Sequence, residues 1–442
     1  MATPLVTLAR AAFADALVPL DAGRAVERAV RVDGGAIVVG DRVVPIAERR
    51  DVRVAAFGKA ADAMIGAMAR RLGEAGLGDG CARGLVVAHV DGVSRVRWAE
   101  RVVGGHPVPN AASLAAGARL LGLFDGCTRE TLAVFLVSGG GSALVEAPVD
   151  QSLTADDFAA INRSMLACAL SIREINAIRK RLSAVKGGRL ARHASPAEQV
   201  TLIVSDVVPG EDATVASGST VPDDTTAEEV RSAVAKLQRG AELPERVARV
   251  LAAVGDTDAA LNEHIYKGYA ATVLDCRDAA RAVANAVAAG VVENLDVQDG
   301  ELAEVVDAHL VEAERLASAN PGRTVAVVSS GEVELSVEGP GRGGRNQHSV
   351  LYALGRIAAL CPSVREIAVL SAGTDGRDGG TDAAGAVGDL GTIARAAAEG
   401  ASITDFLARF DSNGFFDRCG GLIVTGPTGT NVRDVRIVLA RS

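Results

Sequence analysis

The sequence predicts an α/β protein: a Rossmann-like N-terminal domain built on a parallel sheet, followed by a smaller α/β C-terminal domain with a mixed sheet. Three observations carry this expectation. Short, continuously apolar segments alternate with stretches of helical spacing, the pattern of parallel strands covered on both faces. At 442 residues the chain exceeds the roughly 250–300 at which single cores stop growing, so two domains are expected. Charge and proline density rise over residues 222–244, which places the boundary between a domain of residues 1–240 and one of residues 241–442.

Apolar residues at helical spacing predict helices over 5–17 and 22–30, and AIVVGDRVVPI then reads as a hairpin turning at Gly40-Asp41. The alternation follows: a strand at 52–57, a helix from Lys59 to about Leu72, a strand in GLVVAHV, a helix over 111–124, a strand at 132–137 and a helix after Ser142. Residues 154–192 read as largely helical, and the strand TLIVSD ends at Asp206. In the second half, strands are expected in AATVLD, VENLDV, TVAVVSS, ELSVEG and IAVLSA, with helices over 276–288, 301–317 and 346–359. The closing segments GLIVTG and VRIVLA are near enough in sequence to pair antiparallel, hence the mixed sheet.

Composition excludes several classes. Aromatic residues make up 3% of the chain and the formal net charge is -9, so neither stacking platforms nor the basic footprint of a nucleic-acid binder is present. Six scattered cysteines form no CxxC pair or zinc spacing, which indicates a reducing compartment. The N-terminal segment lacks a signal pattern and no apolar run approaches the roughly 20 residues of a membrane span, so no membrane partner is expected and the location is read as cytoplasmic. Lysine occurs only at positions 59, 180, 186, 236 and 267, so a lysine here is not a default surface residue.

In parallel sheets ligands bind beyond the carboxyl ends of the strands. The predicted strand ends are unusually polar: Gly58-Lys59, then Ser138-Gly139-Gly140-Gly141-Ser142, Asp206, Ser330-Gly331-Glu332 and Asp375. The triple glycine lets backbone N–H groups approach an anion at the start of the next helix, which suits phosphate. It is not a Walker loop, because no GK[ST] follows, and GGGSAL lacks the third glycine of a dinucleotide fingerprint. A tight strand-to-helix turn without a ligand is the alternative. Lys59 can neutralise phosphoryl or carboxylate charge, or stand as an exposed first-turn lysine.

GPGRGGRNQ (339–347) precedes a helix and offers Arg342 and Arg345, whose planar forks match carboxylate or phosphate; a solvated arginine is the plainer fate. Asp375, Asp378 and Asp382 repel one another unless a cation, an arginine or water intervenes, and Mg²⁺ fits that need; Asx turns and helix caps explain Asp378 and Asp382 equally well. Asp206 at its strand end can hold metal, accept a proton from a substrate hydroxyl, or cap the next turn. His106 in GGHPVP sits in a loop, and Ser142 is one step out of the frame of a hydrolase GxSxG.

FGKAADAM (57–64), GGHPVPN (104–110), VSGGGSAL (137–144), REINAIRKRLSAVKGGRLA (173–191), SDVVPGE (205–211), SSGE (329–332), GRGGRNQ (341–347), GTDGRDGGTDAAG (373–385) and GPTGTNV (426–432) follow one another along nearly the full chain. In this the chain resembles the glycerate 2-kinases of the MOFRL type, the class II glycerate kinases. The resemblance implies transfer of the γ-phosphoryl group of ATP to the 2-hydroxyl of D-glycerate, giving 2-phosphoglycerate, with Mg²⁺ or another divalent cation, in a cleft between the two domains. Carried over by motif, Lys59 and Arg345 contact glycerate and the transferring phosphate, with Asn346 and Asp375 beside the substrate. Ser138 to Ser142 and Glu332 then hold the nucleotide, and Asp206 and Asp375 are the candidate metal ligands, Asp206 also as proton acceptor. A homodimer is the candidate assembly. The chain departs from the family at Ser330, where glycine is usual, which predicts crowding before Glu332. The rival functions are an NAD(P)H-dependent hydroxypyruvate reductase, which needs a nicotinamide fingerprint, and a non-catalytic nucleotide or sugar-acid sensor.

Overall fold

The computed structural model describes residues 3–168, 170–253 and 268–442; Lys267 lies outside them. The chain forms two compact units, one of Ala22–Val273 and one of Met1–Asp21 with Leu274–Ser442. The boundary expected after residue 240 therefore falls after residue 273. Its physical reason is packing: Leu237, Val247 and Leu251 complete a helical cluster with Ile175 and Ile178, so the charged stretch 222–244 is a solvated surface of the first unit. The opening helix Pro4–Leu17 buries Leu5, Ala9, Ala12 and Phe13 and packs on the helix Cys276–Ala286 of its own unit, a partner no local pattern announces.

In the unit Ala22–Val273, strands β1 (Val30–Asp33), β2 (Ala36–Val39) and β3 (Arg42–Pro45) form an antiparallel meander. The larger sheet contains β4 (Asp51–Phe57), β5 (Ala82–Ala88), β6 (Ala99–Val103), β7 (Thr131–Ser138), β8 (Glu198–Val204) and β9 (Tyr269–Leu274), in the order β6-β5-β4-β7-β8-β9. Strands β4 to β8 pair in parallel. Every residue of β7 is buried, as its continuous apolar run requires of a central strand covered on both faces. AATVLD, expected in the C-terminal sheet, is β9 and closes this one. β1 and β6 were not anticipated: β1 continues directly from the helix Ala22–Ala29, and β6 (AERVV) mixes charge into an edge strand.

The other unit contains β10 (Val291–Val297), β11 (Gly300–Glu301), β12 (Val325–Gly331), β13 (Val333–Glu334), β14 (Glu366–Gly373), β15 (Gly385–Asp389), β16 (Leu422–Ile423) and β17 (Asp434–Arg441). Its main sheet runs β10-β12-β17-β14-β15-β16 and is mixed as expected, β10 and β12 being parallel and the other neighbours antiparallel. The two closing segments do not pair with each other. β17 slots between β12 and β14 while β16 joins β15, because the apolar run VRIVLA, interrupted only by Arg436, gains most in the centre of the sheet. ELSVEG (334–339) contributes only Glu334, the last residue of the short β13.

The helix Leu302–Ala319 lays His309 against this sheet. Its Nδ1–H donates to the Val305 carbonyl (2.7 Å), so Nε2 is left to accept from the Ser329 hydroxyl (2.7 Å), and Arg436 Nε also donates to that hydroxyl oxygen (3.1 Å). Burial, with Arg436 adding to it, lowers the histidine to about 4. Because the folded value lies below the unfolded one near 6.5, this site leaves stability intact above pH 6.5 and removes it progressively down to pH 4. Urea unfolding of His309→Gln should show a pH 7 to pH 4.5 loss of stability about 2 kcal/mol smaller than that of the wild type; equal losses would contradict a neutral buried imidazole.

Candidate functional site

In the Ala22–Val273 unit the strand order reverses between β4 and β7, the topological switch point at which open α/β sheets leave a crevice beyond their carboxyl ends. Register aligns the tips there, Phe57 with Val137 and Ser138 with Val204. Gly58-Lys59, Ser138 to Ser142 and Ser205-Asp206 are consequently neighbours. Lys59 N–H donates to the Gly139 carbonyl (2.9 Å) and the Ala60 N–H to Ser138 Oγ (3.1 Å), so the lysine loop and the glycine loop are fixed to each other. The Asp206 carboxylate lies against the α-carbon of Gly139, where an ideal Cβ would overlap it. Gly140 turns with φ 84°, and a Cβ there would stand 3.3 Å from His106 Nε2 and 3.4 Å from Lys59 Cγ. His106, a loop histidine in the sequence reading, thus joins Lys59 over the loop, with the His89 ring 6.3 Å from its own.

The helix after the glycines is a single turn, Gly141–Leu144. The dipole part of the sequence argument for phosphate therefore falls away, since four residues sum to little, and what remains is the backbone cradle itself. Ser142 is half-buried, and its hydroxyl meets Ser217 Oγ at 2.8 Å; Ser217 in turn donates to Asn176 Oδ1 at 2.9 Å. Ser217 and Asn176 were not singled out from the sequence. The signal available for Ser217 was a run of small hydroxyl residues, ASGST, whose Ala216 and Ser217 adopt φ 51° and 57°. Beneath lies a fully buried Lys186–Glu146 pair in which burial lowers the lysine and the glutamate opposes that shift.

In the other unit, antiparallel pairing brings Asp434, the first residue of β17, between Gly331 at the end of β12 and Gly373 at the end of β14. Arg345 opens the helix Arg345–Leu360 and donates through Nε to Asp434 Oδ2 (2.5 Å) and through Nη2 to Oδ1 (3.3 Å), while Nη1 meets Glu332. Burial alone would lower this guanidinium, but Asp434 and Glu332 raise it well above its ordinary value. An ideal Cβ on Gly373 would lie 3.3 Å from Asp375 Oδ1 and 3.4 Å from Asp434 Oδ1, so the two carboxylates flank one glycine. Glu332, Arg345 and Asp375 are thereby gathered at one end of the sheet.

Asn346 is buried and engaged at both ends of its amide: N–H and Nδ2 donate to Asp378 Oδ1, and Oδ1 accepts from Ser371 (2.6 Å). Asp378 also accepts from Gln347 N–H (2.8 Å) and Nε2 (3.0 Å), which makes it the cap of this helix, the plainer of the two readings the sequence left open. Its burial pushes it up to about 6 despite these donors. The crowding expected at Ser330 is absent, for its hydroxyl donates to the Cys276 carbonyl at 2.6 Å.

Among the described residues no group of three or more histidine, cysteine or acidic side chains is gathered as a metal cage. Asp206 and Asp375 stand on different units. The half-buried Asp206 carboxylate against the glycine loop nevertheless fits a magnesium ion that takes one or two carboxylates and completes its shell from phosphate and water.

These strand tips define a doubly wound α/β protein with its polar groups at a switch point, joined to a second α/β unit that gathers an arginine and several carboxylates. Residues 8–252 match the domain of unknown function DUF4147, and residues 325–434 match the MOFRL family. A relative from Agrobacterium vitis named "Putative hydroxypyruvate reductase" is 37% identical, over 76% of this chain and 86% of its own. The D-glycerate 2-kinase of Thermotoga maritima is 33% identical over 76% of this chain and 78% of its own. The crystal structure of a glycerate kinase from Thermotoga maritima superposes with a TM-score of 0.80 at 28% identity, covering 99% of each chain. The chain belongs to the MOFRL-type glycerate kinase family. Of its described helices, none is long and apolar enough to cross a membrane.

Proposed function

We propose that this protein transfers the γ-phosphoryl group of ATP to the 2-hydroxyl of D-glycerate, releasing ADP and 2-phosphoglycerate. The observation that carries the reading is the switch point, where Lys59, the triple-glycine loop and Asp206 stand on three adjacent strand ends. Phosphoryl transfer asks for positioning and charge neutralisation more than for covalent chemistry, and this is a set of such groups. Ser138 to Gly141 cradle nucleotide phosphates through the backbone, and the Lys59 ammonium neutralises the migrating group. Asp206 holds magnesium, which when bound neutralises phosphate charge, or accepts the proton leaving the glycerate hydroxyl. Arg345 recognises carboxylate or phosphate with the part of its fork that Asp434 and Glu332 leave exposed, Asp375 stands beside it, and Asn346 holds the helix start that aims it. Six free cysteines support a reducing, cytoplasmic setting.

Coupled detection of ADP should show release that requires glycerate, and Lys59→Ala should lower kcat/KM by about 10²–10³-fold. The reductase name borne by some relatives gives the opposing test. NADH and hydroxypyruvate should leave the absorbance at 340 nm flat, because GGGSAL lacks the third glycine of a nicotinamide site and GRGGRN lacks its acidic ribose partner. NADH oxidation, or Lys59→Ala working at the wild-type rate, would overturn the assignment.

A further inference from the structure

The motifs REINA (173–177) and ASGST (216–220) supply no group to the chemistry above, yet ASGST touches the glycine loop at Gly141 and Ser142, and REINA reaches it through Ser217. Ser217 Oγ donates to Asn176 Oδ1, and a carbonyl oxygen can only accept. The single proton of Ser217 is thereby committed, so across the 2.8 Å contact it is Ser142 that donates. Ser142 has then spent its own proton on the protein interior, and its half-buried oxygen carries only lone pairs toward solvent. The arrangement is held firmly. Ser217 is fully buried and Asn176 nearly so, and the carbonyls of Ser217, Gly218 and Ser219 accept from Gly187, Gly188 and Leu190 N–H in succession (3.1, 2.7 and 3.2 Å). This order of bonds keeps Ala216 and Ser217 in a left-handed conformation that non-glycine residues seldom adopt.

We infer that Asn176 and Ser217 are positioning residues that fix Ser142 as a hydrogen-bond acceptor, so that Ser142 meets the divalent cation accompanying the nucleotide, directly or through its bound water, and not a phosphate oxygen. A phosphate oxygen is itself an acceptor, and two sets of lone pairs repel. This rests on the nucleotide reading of the loop and narrows it: the phosphates belong to the backbone of Ser138 to Gly141, and the serine side chain that follows serves the cation.

The test measures binding of ADP to the full chain by calorimetry, with and without Mn²⁺, and of Mn²⁺ by electron paramagnetic resonance. Ser142→Ala should weaken Mn²⁺-ADP by about tenfold and leave metal-free ADP within about twofold. Ser217→Gly suits the positive φ and removes the committed acceptor, and Asn176→Leu removes the end of the chain at similar volume. Either frees the Ser142 proton, so both should weaken Mn²⁺-ADP while metal-free ADP binds as well as, or better than, in the wild type. An equal loss for both forms of ADP in Ser142→Ala would make Ser142 a phosphate donor and overturn the inference, as would no loss for either form. A wild-type protein that binds neither form would overturn the nucleotide reading itself, and this inference with it.

Discussion

Gly139→Ala is expected to lower kcat/KM for glycerate phosphorylation by about 10²–10³-fold while shifting the melting temperature by only a few degrees. A Cβ at this position would coincide with the Asp206 carboxylate, so the short acidic side chain must leave the crevice. Asp206 is half-buried and can rotate toward water, which is why the fold loses little. Asp206→Ala should match Gly139→Ala in activity, and the double variant should be no worse than either, since both remove the same carboxylate from the same place. Gly140→Ala is the control. It strains a residue at φ 84° by about 1 kcal/mol but meets nothing closer than 3.3 Å, and it should retain more activity than Gly139→Ala. Wild-type turnover by Gly139→Ala would remove Asp206 from the chemistry.

Arg345→Ala is expected to cost about 2–3 kcal/mol of unfolding free energy in addition to activity. Asp434 is 2% exposed between two strand ends, and losing its arginine leaves a buried carboxylate uncompensated. The figure sits below that of a fully buried pair because the Arg345 side chain is 34% exposed. Adding Asp434→Ala should restore most of the stability, because the orphaned charge is then gone, without restoring turnover, because the guanidinium is still missing. Denaturant unfolding and steady-state kinetics on the two variants separate the roles. Recovery of activity in the double variant would reduce Arg345 to a counter-ion for Asp434.

The parts of this protein legible in the sequence were those written in local apolar pattern. β4, β7 and β8 are largely apolar strands followed by polar residues, and because they are parallel neighbours the polar ends Lys59, Ser138 and Asp206 arrive together. β15 was missed because GAVGD reads as the tail of a glycine-aspartate loop, and only pairing with β14 makes it a strand. Asp434 was missed for a related reason. A lone aspartate before an apolar run looks like a solvated strand start, and it meets Arg345 only when β17 inserts antiparallel between β12 and β14 and carries its first residue to their last. Asn176 illustrates a different limit. On an amphipathic helix it is one polar residue among many, and its bond to Ser217, 41 positions away, is fixed by tertiary packing alone.

Delivery of a phosphoryl group to the 2-hydroxyl of glycerate by the switch-point loops leaves a signature in the product. Proton-coupled phosphorus NMR of the product formed from D-glycerate, ATP and magnesium tests it most directly. A new phosphomonoester resonance, split into a doublet by the single proton on C2, should grow in step with ADP. A triplet, from the two protons of C3, would assign the wrong hydroxyl, and an unchanged ATP spectrum in the presence of bound nucleotide would make the protein a sensor and not a kinase.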